Sequence, residues 1–167
     1  MIFSQLDSRD IGQGVRPFWL FPILLLILLQ FAMVWRNPGF LEKRMLSDAD
    51  GYTRLARVEV LAGGGSWYDA SAVRANVPYG TTLHWTRPFD LLLLAGALPL
   101  LPFTSMKSAI YWSGTLINPI LLVMTLAVLM WAIKPLLQRW IIPYFGILVL
   151  ALPAVHAYFE IGRADHH

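Results

Sequence analysis

The chain has no cysteine among its 167 residues. That excludes a disulfide framework, a thiolate zinc site and a cysteine nucleophile. Charge is scarce too: Asp, Glu, Lys and Arg make up 14% of the chain, against about a quarter in a soluble domain. The net charge of +3 comes from dispersed groups and gives no basic patch for nucleic acid. Internal repeats and low-complexity tracts are lacking as well. What remains is apolar: 57% hydrophobic residues and a mean hydropathy of +0.57. Seven Trp and six Tyr suit several membrane–water interfaces. The expected class is an all-α polytopic membrane protein.

Hydropathy and punctuation divide the chain. Residues 1–16 are polar. Residues 17–35 form a first expected span, bounded by Phe18, Trp19 and Trp35 and ended by Arg36-Asn37-Pro38-Gly39. No small-x-small cleavage site follows, so the segment reads as a retained signal anchor. Residues 36–107 form a long loop with an expected helix over 48–62. Ser47 is its expected cap, Asp50 stands three residues on, and Gly63-Gly64-Gly65 ends it. Leu55, Val58 and Ala62 share one face of that helix. A short apolar helix over 89–101, opened by Asp90, is expected to be re-entrant or interfacial rather than spanning. Expected spans over 108–133 and 140–157 complete the count of three, with Asn118-Pro119 predicting a kink in the first of them.

The basic turn at Lys134 and Arg139 reads as cytoplasmic. The N-terminus is then cytoplasmic, and the long loop and residues 158–167 are external. This parity requires that 89–101 does not cross.

Two acidic motifs therefore face one compartment. Asp48-Ala49-Asp50 opens the expected helix, where it reads either as capping carboxylates or as hard oxygen ligands for a divalent cation. Asp165-His166-His167 reads either as interfacial polarity or as a carboxylate–imidazole pair suited to Mn²⁺ or Mg²⁺. His84, Trp85 and Arg87 read as an aromatic loop on the membrane surface, or as groups touching a phosphate or sugar. His156 is expected to hydrogen-bond a neighbouring backbone group.

Asp50-Gly51-Tyr52 and Asp165-His166-His167, in this order and around these spans, resemble the catalytic subunit family of oligosaccharyltransferase, of the GT-C class. The likeness is to that family's N-terminal portion: one span, a long structured loop, a short apolar helix, two close spans, then the second motif. It implies a metal-dependent glycosyltransferase moving a glycan from a polyprenyl-linked oligosaccharide donor to an acceptor, protein Asn in that family. Asp50 and Asp165 become the implied catalytic acids, and Asp50, Asp165 and His167 the implied ligands of Mn²⁺ or Mg²⁺. A prokaryotic inner membrane is the implied location. The family's Trp-Trp-Asp acceptor motif does not occur here. The expectation is thus a fragment or half of a split enzyme, inactive without a C-terminal half or partner subunit. A non-catalytic membrane assembly subunit or pseudoenzyme is the competing reading. Sparse charge within the spans and the lack of an inverted repeat disfavour a transporter.

Overall fold

The structure is a computed structural model and describes residues 20–36, 38–39, 43–72 and 76–164. Asp165, His166 and His167 lie outside the described residues, as do residues 17–19 of the first expected span. Most of what is described is helical.

Helix α1 (Phe21–Arg36) is apolar, with Arg36 in its last turn, where a cation complements the helix dipole. Its buried positions, Pro22, Leu26 and Gln30, recur every fourth residue on one face. Helix α2 (Ala49–Ala62) is amphipathic and buries Leu55 and Val58, as the periodicity predicts. Gly63 ends it, its N–H returning to the Glu59 carbonyl at 3.0 Å. A short antiparallel pair follows, β1 (Ser71–Ala72) with β2 (Thr81–Thr82), in register Ser71 to Thr82. Helix α3 (Pro88–Ala97) opens on proline, whose missing N–H costs nothing in a first turn, and runs into a 3₁₀ turn at Leu98–Leu100. Helix α4 (Met106–Ala132) is the long one: 27 residues, about 40 Å at the usual rise. Ser105 caps it by accepting the Ser108 N–H.

Three spans are expected, but among the described residues only α4 is long and apolar enough to cross a membrane. The expected span over 140–157 is two short helices, α5 (Ile142–Leu150) and α6 (Pro153–Tyr158). Pro153 is the physical reason. It supplies no N–H and pushes the preceding Leu152 to an extended conformation (φ −71°, ψ 123°).

Helix α4 bridges two cores. Its first half joins Leu55 and Val58 of α2, Phe89, Leu93 and Ala97 of α3, and Ala164. Its second half, through Leu122, Leu126 and Met130, packs on Leu26 of α1 and on Ile142 and Leu150 of α5. Close helix approach is set by small residues. A Cβ on Gly146 would lie 2.9 Å from both Met130 Sδ and Pro22 Cγ, and one on Gly114 would lie 2.6 Å from Leu55 Cδ2. On its other side α4 carries Leu116, Ile120, Met124 and Val128, an exposed apolar stripe at four-residue spacing.

Candidate functional site

The site begins where the chain enters α2. Asp48, not Ser47, is the N-cap: its backbone is extended and its Oδ1 accepts the Gly51 N–H at 2.7 Å. Ser47 serves a different purpose. Its N–H donates to the Gly162 carbonyl at 2.9 Å and its hydroxyl to the Ile161 carbonyl at 3.2 Å. Arg163 faces Asp48, with Nε 3.5 Å from Oδ2, an ion pair not aligned as a direct hydrogen bond. The segment before the second acidic motif is thereby docked on the start of the helix that carries the first.

Glycine makes the approach possible. A Cβ on Gly51 would stand 3.0 Å from Asp48 Oδ1 and 3.4 Å from the Ala164 nitrogen. Ala164 itself is fully buried. Tyr52 braces the entry, its hydroxyl accepting the Leu46 N–H at 2.8 Å. So the three residues of Asp50-Gly51-Tyr52 have separate places. Gly51 gives clearance, Tyr52 fixes the loop, and Asp50 stands exposed in the first turn of α2. Among the described residues no three His, Asp or Glu side chains converge as a metal site. Of the three implied ligands only Asp50 is described. Its neighbour Gly51 lies close to Ala164, which directly precedes Asp165 in sequence.

The docked segment is held from beneath by polar groups inside apolar helices. Gln30 of α1 donates to the Phe159 carbonyl at 2.9 Å and accepts the Ile161 N–H at 3.1 Å. Asn118 of α4 donates to the Tyr158 carbonyl at 3.1 Å. The Gly162 N–H donates to the Thr115 carbonyl at 2.9 Å. His156 contacts the Leu150 carbonyl through Nε2 at 2.6 Å, a backbone role as expected.

A second cluster is not apparent from the sequence. Asp90, which opens the short helix, is expected as its cap near the interface. Instead Arg87 occupies the cap position, and Asp90 is fully buried with three arginines around it. Arg54 Nη1 donates to Oδ1 at 3.1 Å, and Arg87 Nη1 to Oδ2 at 3.2 Å. Arg57 Nε lies 3.1 Å from Oδ2, at ion-pair distance but not aligned for a hydrogen bond. The Arg54 guanidinium is also covered by aromatic faces, 4.5 Å from the Trp85 centroid and 5.1 Å from that of Phe89. Burial pushes the Arg57 guanidinium below its ordinary pKa, and the neighbouring arginines add to this while Asp90 opposes it. Arg87 further donates to the carbonyls of Trp67 and Asp69, tying the loop to α3.

Beside this cluster lies a cavity of about 850 Å³ between α2, the loop after it and the start of α4. Arg87 lines it; His84 does not, and is exposed. The sequence signal was Arg54 and Arg57 flanking Leu55 and Val58, two cations on the apolar face of α2 that need a buried counter-charge.

No protein family, curated protein or solved structure matches the chain.

Proposed function

We propose that the chain is the N-terminal, metal-holding part of an oligosaccharyltransferase-like membrane glycosyltransferase. The observation that supports this best is the close approach of Gly51 to Ala164, where an added Cβ would stand 3.4 Å from the Ala164 nitrogen, since these residues adjoin the two acidic positions Asp50 and Asp165. Motifs that are far apart in sequence need such a meeting of their flanks to share one ion. In this reading Asp50, Asp165 and His167 hold Mn²⁺ or Mg²⁺, oxygen-rich sites being suited to hard cations. A cation held by these residues would supply charge neutralisation for a departing pyrophosphate. Asp48 is engaged by Gly51 and Arg163, so its role is to shape the site rather than to ligate.

The same reading makes the protein multi-pass. Helix α4 crosses fully, α1 is a further crossing, and α5 with α6 forms a broken crossing. Broken helices at membrane depth are tolerated where protein groups re-satisfy the backbone; the His156 contact to the Leu150 carbonyl is such a group. The short helix α3 stays on the external side. The donor is a polyprenyl-linked oligosaccharide, the acceptor a protein or lipid, and transfer requires a further half or a partner subunit.

The test is Mn²⁺ binding to the full chain, followed by electron paramagnetic resonance. Saturable binding that is lost in Asp50→Asn and in Asp165→Asn supports the shared site. Binding indifferent to both substitutions sinks it and leaves a non-catalytic membrane subunit.

A further inference from the structure

The cavity beside α2 has the makings of a site of its own. Four cationic side chains line it, Arg44, Arg57, Arg87 and Lys107, against the acids Glu59 and Asp69. Its volume of about 850 Å³ is in the range of small-molecule sites. Tyr52 and Tyr111 supply hydroxyls and aromatic walls.

Arg57 is the deciding residue. Its side chain is 6% exposed, and its Nη1 is buried without a hydrogen-bond partner. A buried, charged donor left unmet is costly, and native structures rarely keep one idle. The single carboxylate behind it, Asp90, is shared with Arg54 and Arg87, so the cluster keeps excess positive charge. Arg44 reaches the same cavity from a residue in the left-handed region (φ 51°), its Nη1 donating to Ser108 Oγ at 2.8 Å.

We propose that this cavity binds a phosphate or pyrophosphate group, with Arg57 as its buried anchor and Arg44 and Lys107 at its rim. The guanidinium fork matches phosphate oxygens, and a rim ammonium adds a point charge. The group belongs either to a membrane lipid or to a soluble phosphate compound. The inference is independent of the metal reading, because none of these groups is an implied metal ligand.

The experiment is calorimetric titration of the full chain in maltoside micelles, with EDTA present so that metal loading is not a variable. Inorganic pyrophosphate and decyl phosphate are the two probes, with sulfate and decyl maltoside as controls. Saturable binding of either probe, weakened about tenfold in Arg57→Gln and about threefold in Lys107→Gln, is the expected result. Binding of decyl phosphate alone assigns a lipid source; equal binding of pyrophosphate assigns a soluble one. Should Arg57→Gln not fold, the doubly substituted Arg44→Gln/Lys107→Gln protein takes its place, since both side chains stand at the rim. No saturable binding of either probe, or affinity unchanged by these substitutions, overturns the proposal.

Discussion

The Gly162 amide donates to the Thr115 carbonyl at 2.9 Å, and a proline makes that acceptor available. In a regular helix the Thr115 carbonyl would receive the N–H of the residue four places on. That residue is Pro119, which has none. The interrupted ladder of α4 thus becomes a docking point for the segment leading to the second acidic motif. Asn118, one residue before the proline, holds the Tyr158 carbonyl of the same segment.

Pro119→Ala is expected to loosen that segment without unfolding α4. The new amide competes for the Thr115 carbonyl, and one backbone hydrogen bond is worth about 1 kcal/mol net. Hydrogen exchange at the Gly162 amide should then quicken about fivefold, while Leu126 and Met130 keep their protection. Unchanged exchange at Gly162 would show that Gln30 and Asn118 suffice to hold the segment.

Asp90→Asn tests the buried cluster. Asp90 is fully buried beside Arg54, which is buried equally. Removing the shared carboxylate charge leaves three guanidinium groups facing a neutral amide, and breaking a buried pair costs about 3–5 kcal/mol. Thermal unfolding in detergent should fall accordingly, or the protein should fail to accumulate. A loss under about 1 kcal/mol would mean that water screens the cluster.

How far the sequence could be read depends on the range of the forces involved. The amphipathic face of α2, its glycine stop and the break at Asn118-Pro119 are local, and each is legible from neighbouring residues. The break within 140–157 is not apparent from average hydropathy, which is blind to one Pro153, although that residue splits the segment into two helices. The Asp90 cluster is not legible locally, for another reason. Its partners Arg54 and Arg57 lie on a different helix, and pairing follows only once α2 and α3 dock on α4. The close approach of Gly51 to Ala164 joins segments more than a hundred residues apart. The docking that brings them into contact relies on Gln30 and Thr115, neither of which stands out in the sequence.

Acid should loosen the loop after α2. Hydrogen bonding from Ser71, aided by Arg87, holds the Asp69 carboxyl below its ordinary pKa. A carboxyl depressed in the folded state contributes stability that is fully present above its unfolded pKa, about 3.9. That contribution is lost as pH falls through the lower folded value. Trp67 fluorescence should therefore change on titration below about pH 4, and Asp69→Asn should flatten that change. A titration unaltered by Asp69→Asn would place the acid sensitivity elsewhere.

The exposed stripe of α4 decides whether lipid surrounds it. Met124 is 58% exposed, between Ile120 and Val128 on the same face. An exposed position in water tolerates substitution within about 0.5 kcal/mol. At the centre of a membrane helix, arginine costs about 2.5–3.5 kcal/mol on insertion scales. Met124→Arg in the full chain, followed by the fraction recovered in membranes, separates the two environments. A fall of tenfold or more relative to Met124→Leu is expected for a lipid-facing stripe, because 1.4 kcal/mol is one decade. Recovery equal to that of Met124→Leu would mean that the stripe meets water or another protein. The charge of Met124→Arg acts in the second half of α4, about 20 Å along the helix from the cavity residue Tyr111, so the result bears on membrane placement without disturbing phosphate binding.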